Sequence, residues 1–367
     1  MRLERLSLRN YRNYERLDLA PAPGLNVFLG QNGQGKTNLL ESVAMLALSS
    51  SPRARREIEL LGPIAPQARI EARVEAQGRS RELRISLEAA PESSTARSRG
   101  RRRIEVDGAA RRAIDLPGTF RVVLFWPDDL NLAKAGPEHR RRLLNQMLVQ
   151  IEPGYATALS RYARIVEQRN HLLKQIAAGE QPVAALEVWD LELVRVGGEL
   201  VAPRAAAVRE LAAGAVEAQA AIAPGEVLEL VYAGPPDDLA AAVLAARGDD
   251  LRRGSTTVGP HRDDVLISLQ GRETRAYASQ GQQRTAVVSI KLAEARLVAS
   301  RTGEAPVLLL DDVLSELDAE RRAALLAHLA DAGQVIITSV EADPFPAEVI
   351  GRSRVCRIEG GHVLADA

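Results

Sequence analysis

The sequence predicts an α/β fold: a mixed sheet carrying a glycine-rich loop, an antiparallel β subdomain beside it, and an inserted, mainly helical lobe. Three observations lead there. An apolar run, Leu25-Asn26-Val27-Phe28-Leu29, feeds the stretch Gly30-Gln31-Asn32-Gly33-Gln34-Gly35-Lys36-Thr37. Alternating apolar residues at Ile70, Ala72, Val74 and Ala76, and again at Leu83, Ile85 and Leu87, have the period of half-buried antiparallel strands. From Pro137 the apolar spacing changes to threes and fours, which is the period of helices. The expected division is therefore one lobe over 1–136 and 255–367, with the helical insertion over 137–254.

Each element follows in chain order. Leu3 to Leu8 and Tyr14 to Leu19 read as short strands, then comes the strand that feeds the loop. After Thr37, residues Asn38, Leu39, Leu40, Val43 and Leu46 space out a helix. Pro91 to Arg103, with Arg97, Arg99, Arg101, Arg102 and Arg103, reads as a polar loop, either a solvated hairpin tip or a phosphate-backbone contact. Asp107-Gly108 is a hairpin turn signal, and Arg121 to Phe125 a buried type of strand. Tyr155, Leu159, Tyr162, Val166, Leu173 and Ile176 continue a helical stripe that Arg169 interrupts, and Leu186, Trp189, Leu193, Val196 and Leu200 form a second. These make a helical hairpin whose arms extend about 30 to 40 Å at 1.5 Å per residue. Pro203 is expected to kink the return helix. Gly234 to Asp238 and Gly248 to Gly254 read as linker before a mixed α/β tail.

The loop carries the chemistry. G-x-x-x-x-G-K-[ST] between a strand and a helix lets backbone N–H groups curl around phosphate oxygens at the positive end of the helix. Lys36 then reaches the β- and γ-phosphates, and Thr37 is placed to ligate Mg²⁺. Lysine is scarce here, with Lys36, Lys134, Lys174 and Lys291 standing among arginines, so a lysine in this slot is not an accident of composition. The expected nucleotide contacts are Gly30, Gln31, Asn32, Gly33, Gln34, Gly35, Lys36, Thr37 and Asn38, with ATP and Mg²⁺ as cofactors.

Two later stretches complete a site of this kind. Val307-Leu308-Leu309-Leu310-Asp311-Asp312 is an apolar strand ending in two carboxylates. Asp311 would hold the Mg²⁺ shell and Asp312 would orient the attacking water. Upstream, Ala278-Ser279-Gln280-Gly281-Gln282-Gln283-Arg284 matches the S-x-G-x-Q signature of ABC-type ATPases and opens a helix for which Ser279 is a good N-cap. Ser279, Gly281 and Gln282 would present donors and a positive helix end to a γ-phosphate.

With these residues in place, the chain resembles the RecF family of bacterial recombination mediators, relatives of the SMC-type chromosome-maintenance ATPase heads. The likeness rests on Asn10-Tyr11-Arg12-Asn13-Tyr14, the glycine-rich loop, Phe125-Trp126-Pro127-Asp128-Asp129-Leu130, Arg140-Arg141-Arg142, Gly259-Pro260-His261-Arg262-Asp263-Asp264, the signature, and Asp311 to Asp318. The resemblance implies an ABC-type ATPase head whose signature faces the nucleotide of a second copy, so that ATP joins a head-to-tail homodimer. It implies ATP-dependent binding of DNA at single-strand/double-strand junctions, recombinase loading with RecO and RecR, and roles in replication restart and the SOS response. It also implies that Arg12 approaches the nucleotide phosphates. No catalytic role is assigned to His261 or Arg262.

Departures from the broad ABC pattern set the expected pace. Asp312 stands where most members carry glutamate, and Thr338-Ser339 stand where transporters carry a switch histidine. Both predict a weak, Mg²⁺-dependent ATPase that works as a switch. The rival readings are an SMC-like structural head and the nucleotide-binding subunit of a transporter. The helical insertion and the missing histidine speak against the second, and the short arms against the first.

Composition narrows the rest. Lys plus Arg and Asp plus Glu each number 48 in 367 residues, so any DNA contact comes from local patches such as Arg53, Arg55 and Arg56. The first residues lack a signal-peptide core, and no apolar run approaches the roughly 18 residues of a spanning helix. A cytoplasmic protein without a membrane partner is expected. The single Cys356 reads as a small core residue.

Overall fold

The computed structural model describes residues 1–89, 101–330, 332–343 and 345–365. The first strands are β1 (Arg2–Tyr11), β2 (Tyr14–Leu19) and β3 (Leu25–Leu29), followed by α1 (Lys36–Leu48). Then come β4 (Gln67–Ala76), β5 (Arg79–Glu88), β6 (Arg101–Val106), β7 (Ala109–Arg111) and β8 (Val122–Phe125). The helices α2 (Asn131–Lys134), α3 (Pro137–Ile151), α4 (Tyr155–Ala177) and α5 (Leu186–Ile222) lead to β9 (Leu228–Ala233) and α6 (Leu239–Arg253). The remainder is β10 (Asp264–Leu269), β11 (Arg272–Glu273), α7 (Thr274–Tyr277), α8 (Gln280–Thr302), β12 (Val307–Asp311), α9 (Ala319–Ala330), β13 (Val335–Ser339), α10 (Ala347–Gly351), β14 (Arg354–Glu359) and β15 (His362–Ala365).

Two six-stranded sheets enclose α1. One is mixed, in the order β15-β14-β3-β13-β12-β8, and parallel except where β15 pairs antiparallel with β14. The other is antiparallel, in the order β2-β1-β4-β5-β6-β7. Inward residues of the antiparallel sheet, among them Leu6, Ile70 and Ile85, share one core with Leu39 to Leu48 and with Phe28, Leu124, Leu309 and Ile336 of the mixed sheet. The opposite face of the mixed sheet, with Val27, Val123, Leu310 and Ile337, packs on the helices that include α5 and α8. Covered on both faces, its strands are unbroken apolar runs rather than alternating ones. Cys356 is buried, as expected.

Three expectations need correction. Arg101 to Arg103 are strand rather than loop, paired with Glu88, Leu87 and Ser86. They were hidden because their side chains are all polar until Ile104; Arg102 reaches the Ser49 carbonyl and Glu57. Arg97 and Arg99 lie outside the described residues. Gly248 to Arg253 are the end of α6, closed by Gly254 in the left-handed conformation, rather than linker. Finally, α5 runs 37 residues, about 55 Å at 1.5 Å per residue, longer than the expected arm of about 30 to 40 Å; it continues past Pro203. The neighbours Leu200, Arg204, Ala207 and Val208 are all buried, and their packing holds the helix through the missing hydrogen bond.

Arg169, which broke the apolar stripe of α4, is fully buried. Its guanidinium donates to Asp190 at 2.7 Å, Asp250 at 2.7 Å and Thr256 at 2.9 Å, and so ties α4, α5 and α6 together. A second node follows. Arg204 binds Asp263, the Pro260 carbonyl, Tyr155 and Asn145, while Arg140 makes a paired contact with Asp264 at 2.6 and 2.9 Å. The run Gly259 to Asp264 is thus where helices α3, α4 and α5 are stitched to β10. Among the described residues no helix is long and apolar enough to cross a membrane.

His261 belongs to this stitch. Its Nδ1 sits 2.9 Å from the Tyr162 hydroxyl and its Nε2 sits 3.0 Å from the Thr256 carbonyl. Since a carbonyl only accepts, Nε2 carries the proton and Nδ1 accepts from Tyr162, which is the neutral tautomer. Burial pushes the imidazole below its ordinary pKa. The unfolded chain takes up this proton near pH 6.5 and the folded chain only at lower pH, so the contribution is present above about pH 6.5 and is lost as pH falls. The urea-midpoint advantage of wild type over His261→Asn should therefore shrink between pH 7.5 and 5.5. An advantage that holds or grows on acidification contradicts this assignment.

Candidate nucleotide and metal site

The glycine-rich loop leaves β3 at Leu29 and enters α1 at Lys36. Glycine is required at two places. A Cβ on Gly30 would lie 2.4 Å from the Ile358 carbonyl oxygen. At Gly35, φ is +115° and a Cβ would lie 2.6 Å from the Asn13 amide. Gln31, Asn32 and Gly33 stand exposed at the apex. Below them the loop is held from two sides. Asn13 donates to the Gln34 carbonyl at 2.9 Å and accepts from Asn38 at 2.8 Å, and Tyr14 donates to the Gly35 carbonyl at 3.0 Å. From the β14–β15 turn, the Gly360 and Gly361 amides donate to the side chain and backbone of Gln34 at 2.5 and 3.1 Å. The loop's shape is thus fixed by both ends of the chain.

Lys36 folds back over the loop. Its ammonium donates to the Gly30 carbonyl at 2.5 Å and the Gln31 carbonyl at 3.1 Å. Burial holds it below the ordinary lysine pKa, against the opposing pull of Asp312 and Asp311. A phosphate that displaced the two carbonyls would give the cation a charged partner in the same place.

Sheet order brings the acidic strand to this loop. Parallel strands β3, β13 and β12 end side by side, at the carboxyl edge where such sheets gather ligands. Thr37 donates to Asp311 Oδ2 at 2.8 Å, and Thr338, at the same edge of β13, donates to Asp311 Oδ1 at 2.7 Å. Both oxygens of a nearly buried carboxylate are oriented. Asp312 follows in a left-handed conformation, φ +53°, and its amide donates to the Thr338 hydroxyl at 3.2 Å. The Thr37 and Asp311 oxygens are hard donors of the kind Mg²⁺ takes, together with water and substrate phosphates. No group of three or more His, Cys, Asp or Glu side chains suited to a metal occurs among the described residues, so these two would share the ion with oxygens from the nucleotide.

A cavity of about 310 Å³ opens beside this pair, bounded by Thr37, Asp311, Arg53, Trp126, Asp128 and Arg142. Asp129 turns inward from the same bend and accepts the Trp126 amide at 2.7 Å; burial pushes its carboxyl up, opposed by Lys291. Arg12 pairs with Glu41 of α1, which also lies 3.9 Å from the cavity-lining Arg53. The Arg12 guanidinium makes a paired contact with the fully buried Glu41 at 2.8 and 2.9 Å and donates to the Glu59 carbonyl at 2.6 Å.

The signature residues bond first to one another. Ser279 and Gln282 form a capping box: the Gln282 amide donates to Ser279 Oγ at 3.3 Å, and the Ser279 amide to Gln282 Oε1 at 3.0 Å. Gly281 packs against Arg321 of α9. Arg284, one turn further on, lines a small cavity with Asp311 and Asp312.

Sequence reasoning missed Asn13 and Tyr14 as loop braces and Thr338 as the second anchor of Asp311. In the sequence Thr338 closed the apolar run Val335 to Ile337, at the place of a transporter's switch histidine, with nothing to mark it as a partner of Asp311. Thr338→Val keeps the volume and removes both contacts. Because residues that orient a ligand typically affect metal affinity 10- to 100-fold, Mn²⁺ binding in the presence of nucleotide, read by electron paramagnetic resonance, should weaken about tenfold. Unchanged affinity contradicts the anchoring role.

Comparison with known proteins agrees with this geometry. The family model described as RecF/RecN/SMC N terminal domain matches residues 2–351. The DNA replication and repair protein RecF of Roseiflexus castenholzii is 40% identical, covering 99% of each chain. That of Symbiobacterium thermophilum is 41% identical, covering 100% of this chain and 99% of the relative. Among solved structures, the recombination mediator protein RecF-ATP in the RecFOR pathway superposes with a TM-score of 0.88 at 29% identity, over 100% of this chain and 97% of that one. An SMC head bound to the C-winged helix domain of ScpA, at 13% identity and a TM-score of 0.58 over 100% of this chain and 98% of that one, shares the fold. The α/β architecture is that of RecF and SMC-head ATPases, and the chain belongs to the RecF family.

Proposed function

We propose that this chain is an ATP-dependent DNA-binding protein of recombinational repair, in which two copies sandwich ATP and hold DNA until slow hydrolysis releases it. The observation that carries the reading is the pair Thr37–Asp311, which joins the glycine-rich loop to the acidic strand with two hard oxygens at one point. The names of the relatives, and the ATP-bound state of the 29%-identical structure, support the same assignment.

In this reading Lys36 leaves the Gly30 and Gln31 carbonyls for the β- and γ-phosphates, and the loop amides from Gly30 to Asn38 cradle the rest. Bound Mg²⁺ would supply charge neutralisation between phosphates. Thr37 and Asp311 would hold it, and Thr338 keeps Asp311 turned. Asp312 orients water from a backbone position fixed against Thr338, and its short side chain makes that orientation poor, hence the slow turnover. Ser279, Gly281 and Gln282 serve the partner copy, since among the described residues Ser279 and Gln282 bond to each other and Gln282 to Glu226. Arg12, held by Glu41 one turn from Thr37, approaches the nucleotide phosphates. The lobes are 1–136 with 255–367, which binds nucleotide, and 137–254, which carries the arm. DNA at single-strand/double-strand junctions meets local arginines such as the exposed Arg53, Arg55 and Arg56. RecO and RecR are the partners in recombinase loading, replication restart and the SOS response, in the cytoplasm.

Sedimentation with labelled gapped duplex tests this. Wild type should form a DNA-bound dimer only with ATP and Mg²⁺. Lys36→Met should lose nucleotide binding and the dimer together, whereas Ser279→Arg should bind ATP as a monomer and fail to pair. A wild-type monomer on DNA in saturating ATP contradicts the clamp. Equal loss of ATP binding in both variants contradicts a signature acting across the dimer.

A further inference from the structure

Beneath the signature lies a carboxylate that the site described so far does not use. Glu226, in the turn between α5 and β9, accepts from three side chains. Gln219 of α5 donates to it at 3.1 Å, Arg321 of α9 at 3.2 Å and Gln282 of the signature at 3.5 Å. Each donor leads to a different part of the molecule. Gln219 also accepts from Ser289 on α8 at 2.9 Å, so it spans from the arm helix to the signature helix. Arg321 also pairs with Asp318 at 3.4 Å, in the segment after the acidic strand, and lies against Gly281.

The chemistry of Gln282 gives this cluster a direction. An amide can present either its oxygen or its nitrogen to a neighbour, and the neighbour decides. A carboxylate only accepts, so Glu226 draws the Gln282 nitrogen toward itself and leaves the Gln282 oxygen facing the Ser279 amide, where it accepts at 3.0 Å. Ser279 Oγ in turn accepts the Gln282 backbone N–H. With its oxygen so engaged, the Ser279 hydroxyl keeps its proton for a donor role toward solvent, or toward a phosphate brought by a second copy. Arg321, held by Glu226, supports the turn at Gly281 from below.

We propose that Glu226 is a positioning residue for the Ser279–Gln282 signature, acting through Gln282 and Arg321 and linking the arm helix to the surface that completes a second copy's nucleotide site. This rests on the reading that the signature acts across the dimer. Glu226 touches no nucleotide in that scheme, so it affects pairing and leaves binding to the monomer alone.

The experiment is sedimentation velocity of the full chain with ATP and Mg²⁺ for wild type, Glu226→Ala, Glu226→Gln, Arg321→Ala, Glu226→Ala with Arg321→Ala, and Ser279→Arg. Binding of a fluorescent ATP analogue is measured at protein concentrations that keep the chain monomeric. Hydrogen bonds to a charged group have a net value near one decade in an equilibrium constant, so Glu226→Ala should weaken ATP-dependent dimerisation about tenfold with monomer ATP affinity unchanged. Glu226→Gln keeps the volume and guards against misfolding; by letting the Gln282 amide turn either way, it should also weaken dimerisation. The double variant should be weaker than Glu226→Ala by less than the Arg321→Ala effect, because the two residues act together. Wild-type dimerisation by both Glu226 variants while Ser279→Arg stays monomeric overturns the positioning role alone. A parallel loss of monomer ATP affinity also overturns it. Dimerisation by Ser279→Arg overturns the reading on which it rests.

Discussion

The Asp311 carboxylate, held between the hydroxyls of Thr37 and Thr338, is the interaction on which the rest depends. It joins the ends of β12 and β13 and the first turn of α1 through two hydrogen bonds of 2.8 and 2.7 Å. A carboxylate so nearly buried tolerates its charge because both oxygens are bonded. The arrangement follows from sheet order: β13 lies between β3 and β12, so a short hydroxyl at its end faces Asp311 and a short hydroxyl beyond β3 reaches it. Covering both faces of this sheet, with α1 on one side and α5 and α8 on the other, fixes the register of the strands and therefore the meeting of these three side chains.

The helical insertion uses a different means to the same end. Its stripe is interrupted by Arg169, and its long helix contains Arg204, each buried and each bonded to aspartates. Removing either partner would strand a charge, which is why such pairs specify geometry more than they add stability. The consequence for function is rigidity. The run Gly259 to Asp264, stitched to α3, α4 and α5, makes the arm and the signature-bearing half one continuous packed body, and Glu226 places a polar link at the point where they meet.

Much of this was legible in the residues, for physical reasons. The phosphate loop was, because glycines with forbidden neighbours, followed by Lys36 and Thr37, leave few alternatives. The mixed sheet was, because doubly covered strands are unbroken apolar runs. What stayed hidden was polar and long-range. Thr338, Asn13 and Glu226 act through hydrogen bonds to residues mostly distant in sequence, and no local period marks them. Arg101 to Arg103 hid a strand behind charge, and Arg169 looked like a defect because its partners, Asp190 and Asp250, come from other helices.

The central claim is that one nucleotide site is made from two copies. Mixing Lys36→Met with Ser279→Arg tests it directly. In a head-to-tail pair, the Ser279→Arg copy supplies an intact Lys36 and the Lys36→Met copy an intact Ser279, so one of the two composite sites is whole. The mixture should regain ATP-dependent pairing and ATP hydrolysis that neither variant shows alone. A mixture as inactive as its components would contradict a shared site.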